Sequence, residues 1–299
     1  MSSDPRILVL GATGMLGHKL WQVLSPRFDT HVTVRADDVS GLDGLLDLGR
    51  TRTGVSAERF DTVERAVSET RPDVVVNCIG VVKQAAAARD PIPSITINSL
   101  FPHRLAATCD AHGARLIHIS TDCVFSGATG GYVETDNPDP VDLYGRSKLL
   151  GEATGAGCLT VRTSIIGREL SGSQGLLEWF LGASESVRGF RRAIFSGLTT
   201  PALAGVLASL ISDHPGLTGL WHVAAEPINK YDLLCLLRDA YGRQVEIAAD
   251  DALAIDRSLD GTRFERETGI RAGLWPEMVS ELAADETPYE QLRSATDPC

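Results

Sequence analysis

Paired cysteines are the first thing missing. The six cysteines (Cys78, Cys109, Cys123, Cys158, Cys235 and Cys299) are scattered, with no C-x-x-C pair and no Cys/His cluster at metal spacing. That excludes a disulfide framework and a zinc site, and it implies a reduced, intracellular setting with no bound metal. No apolar run approaches the roughly 20 residues of a membrane span. The first ten residues are too short and too acidic for a signal peptide, so a soluble cytoplasmic protein is expected. Positive charge is scarce too. Lys+Arg number 28 against 39 Asp+Glu, a net charge of −11, and only four of the basic residues are lysine. A chain with a pI near 5.1 lacks the diffuse positive field of a general nucleic-acid binder, and the same deficit argues against anionic membranes. A phosphate-bearing ligand must therefore be met by a local arrangement of donors.

What is present is an ordinary globular composition. The chain has 299 residues, 43% apolar and 22% charged, enough for one large domain or two unequal lobes. Short runs rich in Val and Ile at 7–10, 31–35, 74–79, 116–120 and 159–162 read as strands buried on both faces. Helix-period stretches separate them at 15–24, 60–69, 97–112 and 143–154. This alternation predicts an α/β fold, a doubly wound parallel sheet of Rossmann type. Residues 1–165 would form the nucleotide-binding lobe. Residues 166–299 would form mainly a smaller, less regular C-terminal lobe, with 195–225 returning to the first. In that second half, 167–175 reads as a loop, 184–192 as a basic segment, 201–212 and 230–241 as helices, and 219–223 as a strand. The only low-complexity tract is the alanine run at 85–88, and the final dozen residues read as a loose tail.

The motif G-A-T-G-M-L-G, Gly11 to Gly17, follows the first strand and opens the first helix. Glycine permits a tight turn there, and a pyrophosphate can then approach backbone N–H groups at the helix N-terminus. A purely structural turn would look the same; the flanking strand and helix favour dinucleotide binding. No Gly-Lys-Ser/Thr follows, so it is not a P-loop. At the end of the second strand, where an acid would contact an NAD ribose, stands Arg35, which can pair with a 2′-phosphate. NADP(H) is thus the preferred cofactor and NAD(H) the alternative, with Asp37 and Asp38 just beyond working against the preference. Tyr144 and Lys148 lie four residues apart, on one helical face. Only about 0.07 such pairs are expected by chance from five Tyr and four Lys. A nearby ammonium would lower the phenol's pKa from about 10, making Tyr144 a proton donor to a ketone that receives hydride. Ser120-Thr121-Asp122 ends a strand at the carboxyl edge of the sheet, where Thr121 could share the substrate oxygen or merely cap a turn.

Together these residues resemble the extended short-chain dehydrogenase/reductase family, and within it the dTDP-4-dehydrorhamnose reductase type of sugar-nucleotide reductase. The resemblance spans nearly the whole chain. It includes the glycine motif, Asn77-Cys78-Ile79-Gly80, Asn98, the stretch Ser120 to Phe125, the Tyr144/Lys148 pair and Arg162-Thr163-Ser164. It continues through the stretches Gly197 to Pro201, Gly219 to Val223 and Arg257 to Asp260. It implies Thr121, Tyr144 and Lys148 as the catalytic set. The cofactor would be held by Gly11, Thr13, Gly14, Met15, Leu16, Arg35, Cys78, Ile79 and Gly80, with Tyr144 and Lys148. Residues 166–299 would be mainly a substrate-binding lobe, the nucleotide-sugar substrate would meet Thr121, Asp122, Cys123, Val124 and Arg257, and a homodimer is a further expectation.

Related 4,6-dehydratases carry an Asp-Glu pair where this chain has Asp122-Cys123, which favours reduction over dehydration. Two departures stand out: Ser56 replaces the Asp that contacts adenine in relatives, and Cys123 replaces an aromatic residue. Arg257 ranks first as a diphosphate contact, while Arg188, Arg191 and Arg192 read as a solvated basic face. Trp221 and His222 read as packed core residues. The activity implied is reduction of a nucleoside-diphosphate 4-keto-6-deoxy sugar in deoxysugar or polysaccharide biosynthesis. The rivals are a sugar-nucleotide epimerase, an epimerase-reductase and a non-catalytic NADP-binding regulatory subunit.

Overall fold

The computed structural model describes residues 4–83 and 89–296; the alanine run at 85–88 and Cys299 lie outside them. The short apolar runs form β1 (Arg6–Leu10), β2 (Asp29–Thr33), β3 (Thr51–Arg52), β4 (Val74–Asn77), β5 (Arg115–Ile119) and β6 (Cys158–Arg162). Between them come α1 (Gly17–Leu24), α2 (Phe60–Thr70) and the single turn α3 (Pro91–Pro93). That turn continues through a π-helical stretch (Ser94–Leu100) into α4 (Phe101–Ala111), and α5 (Leu143–Leu150) follows. The second half holds β7 (Ile165–Ile166), α6 (Leu176–Leu181), β8 (Val187–Phe190), β9 (Ala193–Phe195), β10 (Leu198–Thr199) and α7 (Thr200–Ser212). It then holds β11 (Gly219–His222), β12 (Ile228–Asn229), α8 (Lys230–Ala240), β13 (Ile247–Asp250) and β14 (Ile255–Asp256). The last helices are α9 (Thr262–Thr268), α10 (Trp275–Ala283) and α11 (Tyr289–Thr296).

Seven strands form one sheet in the order β3-β2-β1-β4-β5-β6-β11, and every pairing is parallel. This is the doubly wound order, with β11 added at the edge beside β6. Side chains alternate along each strand, so both faces must be covered. Ile7, Val9, Val74 and Val76 belong to one core and Leu8, Leu10 and Val75 to the other. α1 packs with α7 on the first face, and α2 packs with α4 on the second. The small sheets of the second half, β12-β9-β14 and β13-β8, lie outside this frame.

Two expectations are corrected. The second strand ends at Thr33, because its ladder with β1 runs from Arg6↔Asp29 to Leu10↔Thr33; Arg35 lies beyond it and is exposed. Residues 289–296 of the expected loose tail form a helix instead. α11 folds back on α1, burying Tyr289 and Leu292.

The anchor for α11 is polar. His18 is fully buried, with Nδ1 2.8 Å from the Gly14 carbonyl oxygen and Nε2 3.0 Å from the Tyr289 hydroxyl. The Tyr289 hydroxyl lies between His18 Nε2 and the Asp285 carboxylate, 2.6 Å from the latter, and Asp285 pairs with Lys19. Burial holds the His18 imidazole neutral, lowering its pKa from 6.5 to about 4. The unfolded chain would take up a proton below about 6.5, so the stability from neutral His18 is present above that pH and lost as pH falls to about 4. At 1.36 kcal/mol per pH unit the loss is about 3 kcal/mol. Urea unfolding at pH 7 and at pH 4.5 should therefore show a steep loss in the wild type and a shallower one in His18→Gln. Equal pH dependence would remove His18 as its source.

Candidate active site

The carboxyl edge of the sheet opens into a cavity of about 460 Å³. One end is built by the turn between β1 and α1. Gly11 adopts φ +86°, and a Cβ on Gly17 would stand 2.1 Å from the Gly11 carbonyl oxygen. Only glycine lets the helix start that close to the strand. Thr33 anchors the turn: its Oγ1 accepts from the Gly11 N–H at 3.2 Å and its carbonyl accepts from Ala12 at 2.9 Å. Thr13, Gly14, Met15 and Leu16 line the cavity opposite Cys78, Ile79 and Gly80, which leave β4. The first turn of α1 carries no acidic side chain to compete for its N–H groups. This donor set, with glycines where a diphosphate must approach backbone, fits a dinucleotide. Arg35 is exposed near the same edge, outside the cavity lining, and forms no ion pair among the described residues. Ser56 caps the approach to α2, its Oγ accepting from the Glu58 N–H at 3.3 Å.

The other end holds Thr121, Asp122, Cys123, Tyr144 and Lys148. Asp142 caps α5, accepting from the Gly145 N–H at 2.8 Å, and it pairs with the cavity residue Lys83 at 2.8 Å. A Cβ on Gly145 would lie 2.2 Å from the Cys123 carbonyl oxygen, so the residue after Tyr144 has to be glycine for α5 to reach the β5 exit. That approach brings the Tyr144 hydroxyl beside Thr121 in the cavity. Thr121 Oγ1 accepts from the Cys123 N–H at 3.1 Å and donates to Asp122 at 3.2 Å.

The expected effect of Lys148 on Tyr144 is not what the geometry yields. Burial pushes the Tyr144 hydroxyl above the ordinary phenol range, reinforced by the neighbouring Cys123 and only partly opposed by Thr121. Lys148 donates instead to the Ile119 carbonyl oxygen at 2.7 Å, and burial lowers its pKa to about 8. A phenol in this setting stays protonated at neutral pH, which suits a proton donor. Burial likewise raises Asp122, against hydrogen bonds from Cys123 and Thr121 and the charges of Lys230 and Arg257. Burial pushes the Cys123 thiol up to about 12, so it is not a nucleophile.

Not every residue singled out in the sequence reaches the cavity. Val124 is buried in a core with Phe125, Tyr132 and Leu259. Arg257 is outside the cavity lining, and its Nε donates to the Phe125 carbonyl oxygen at 2.9 Å. Arg188 and Arg191 pair with Asp250 and Asp251 at the surface, as a solvated face should. Trp221 and His222 are packed; the His222 ring lies 2.9 Å from the Tyr132 carbonyl oxygen. Asn98, in the π-helical stretch, grips the N–H and carbonyl of Val81 at 2.8 and 3.1 Å and donates to Ser147 at 3.2 Å. It thereby ties the β4 exit to the helix of Lys148. Lys83, Phe195 and Lys230 line the cavity and were not singled out. For the two lysines the signal was the scarcity of that residue: with Lys148 they make three of the chain's four lysines in this one cavity.

The strand order, the glycine turn and the hydroxyl, tyrosine and lysine gathered at the sheet edge define the class: a dinucleotide-fold scaffold of the extended short-chain dehydrogenase/reductase type. The chain belongs to the RmlD substrate binding domain family, whose model matches residues 5–260. It is 30% identical, over 96% of its own length and 99% of the relative's, to a protein of Haloferax volcanii named probable low-salt glycan biosynthesis reductase Agl14. It is 36% identical to a dTDP-4-dehydrorhamnose reductase of Burkholderia thailandensis over 164 residues, 53% of this chain and about half of that relative (49%). The crystal structure of a Bacillus anthracis dTDP-4-dehydrorhamnose reductase in complex with NADP superposes with a TM-score of 0.77, covering 94% of this chain and 98% of that one at 22% identity.

The Gly145 contact yields a test. In Gly145→Ala the new methyl must displace α5 or the Cys123 backbone, at a cost of about 1–3 kcal/mol in unfolding free energy. A lowered urea midpoint together with lost turnover is expected; wild-type values for both would mean that α5 does not need this contact.

Proposed function

We propose that this protein uses NAD(P)H to reduce a nucleoside-diphosphate 4-keto-6-deoxy sugar in glycan biosynthesis. The observation that carries the reading is the meeting of Thr121, Tyr144 and Lys148 in the same cavity as the glycine turn. Reduced nicotinamide, when bound, supplies the hydride for the keto carbon. Thr121 and Tyr144 converge on a position for the keto oxygen, and the protonated phenol of Tyr144 transfers its proton as negative charge develops there. Lys148, fixed by Ile119, sets a positive charge one helical turn away.

The carboxylates argue for reduction over dehydration. Among the described residues only Asp122 and Glu169 line the cavity as acids, and Glu169 closes a loop by accepting from the N–H groups of Gln174 and Gly175 at 2.9 and 3.1 Å. Asp122 therefore has no second carboxylate beside it for the elimination and return of water. The relatives named as reductases support the substrate class, and the complete Thr121, Tyr144 and Lys148 set speaks against a non-catalytic subunit.

NADPH oxidation by the purified protein against dTDP-, UDP- and GDP-linked 4-keto-6-deoxy sugars tests the reading. Turnover is expected with one member and should vanish in Tyr144→Phe while NADPH still binds. Exchange of a solvent proton into the neighbouring carbon without NADPH oxidation would replace the reductase by an epimerase. The cofactor preference rests on Arg35. Arg35→Ala should weaken NADPH binding by about tenfold or more, the worth of a charged hydrogen bond, with little change for NADH. Equal losses for both would remove the preference for the 2′-phosphate.

A further inference from the structure

The cavity takes three of the chain's four lysines, although its lining is only about a tenth of the residues. Two are accounted for. Lys148 belongs to the proton-donor set, and Lys83 is paired with the helix cap Asp142. The third, Lys230, has neither role.

Its placement is built by the second half of the chain. β12 pairs antiparallel with β9, setting Ile228 opposite Phe195 and Asn229 opposite Ile194. Asn229 then caps α8 by accepting from the Asp232 N–H at 2.8 Å, and Lys230 follows as the first residue of the helix. Its Nζ lies 3.9 Å from the centre of the Phe195 ring, and both side chains line the cavity that holds Thr121, Asp122 and Cys123. Its charge acts on Asp122 and Cys123, yet no carboxylate comes within ion-pairing distance and no described residue accepts a hydrogen bond from it.

As a structural element this lysine is a poor choice. A cation at the N-terminus of a helix opposes the helix dipole. Burial penalises the ammonium further and lowers its pKa to about 8. A ring face returns only part of what hydration and hydrogen bonds would give. A half-buried ammonium that faces a cavity and has no acceptor among the described residues is explained when a ligand supplies the acceptors.

We propose that Lys230 is a substrate-positioning residue whose ammonium donates to an oxygen substituent of the sugar and holds the ring against Thr121 and Tyr144. The assignment rests on the sugar-nucleotide reductase reading and goes beyond it, since it gives the second half of the chain a direct part in orienting the reacting sugar. Lys230 contacts substrate alone. The cofactor's diphosphate belongs to the glycine turn at the other end of the cavity, so cofactor affinity and substrate affinity separate in the test.

Lys230→Met and Lys230→Arg are compared with the wild type, using the keto sugar that the wild type reduces. In Lys230→Met the KM for the sugar nucleotide should rise about tenfold or more, the worth of a charged hydrogen bond, while NADPH affinity stays at the wild-type value. Lys230→Arg should recover most of the loss. An unchanged KM, or NADPH affinity falling in parallel with it, overturns the proposal. A second measurement needs neither folding of a variant nor turnover. Carbamylation of Lys230 by cyanate in the wild type is read by peptide mass spectrometry, with NADPH alone and then with dTDP- or UDP-4-keto-6-deoxyglucose added. Protection by the sugar nucleotide and not by NADPH supports the proposal; equal modification overturns it. Protection without any turnover would sink the reductase reading and leave Lys230 as a sugar-nucleotide contact. Turnover without protection would do the reverse.

Discussion

A buried ion pair under the catalytic edge sets the relation among the elements that carry the chemistry. Glu152, just past α5, receives the Arg162 guanidinium from β6 at 2.7 and 2.8 Å, with both side chains nearly excluded from solvent. Burying two opposite charges is favourable only when geometry is good and the remaining valences are filled. Here the pairing is bidentate, Ser120 donates to Glu152 at 2.7 Å, and Arg162 lies over the Phe125 ring with His222 of β11 alongside. One salt bridge therefore joins the end of α5, the exit of β5, the end of β6 and the edge strand β11. Tyr144 and Lys148 come from the first of these and Thr121 from the second. Their mutual distances follow from a contact in which none of them takes part.

The cofactor end of the cavity depends on a different kind of closure. Gly175 lies so close to Met15 of the glycine turn that a Cβ there would stand 2.8 Å from the methionine methyl. The loop holding Gly175 is closed on itself by Glu169, and Arg293 of α11 donates to the Glu169 carbonyl oxygen at 2.8 Å. The same helix reaches α1 through Tyr289 and His18, and His18 touches the Gly14 carbonyl oxygen. Residues nearly the full length of the chain apart thus brace one turn from both sides. A backbone that must present N–H groups to a diphosphate gains from such bracing, because the ordering cost is met in folding rather than on binding.

The sequence made legible what short-range physics controls. Continuous Val/Ile runs in β1, β4 and β5 announce strands covered on both faces, and G-A-T-G-M-L-G announces a turn that no side chain would fit. The four-residue spacing of Tyr144 and Lys148 likewise survives into one helix face. What it left hidden depends on long-range contact. α11 is a short amphipathic segment with no propensity to stand alone, and it forms because Tyr289 finds His18 some 271 positions away. The position of Arg257 is likewise set from afar, by the Phe125 carbonyl oxygen 132 positions away, which accepts from its Nε. The acidity of Tyr144 misled for a similar reason: spacing brings an ammonium near, but only the fold reveals that Ile119 accepts it and that burial dominates.

Burial also gives the chemistry a direction. In water a phenol and an ammonium would each sit near pKa 10, differing little in their readiness to lose a proton. Inside this cavity the two are driven apart, because desolvation disfavours the charged form of each: it raises Tyr144 and lowers Lys148 to about 8. The charged form of Tyr is the base and that of Lys is the acid, so a single cause yields a tyrosine that keeps its proton and a lysine that releases one more readily. A site arranged this way keeps its phenolic proton until a neighbouring oxygen, as negative charge develops on it, becomes more basic than the phenolate. With one lone carboxylate beside Thr121 and a protonated phenol nearby, the cavity offers a developing oxyanion a proton donor and no pair of carboxylates.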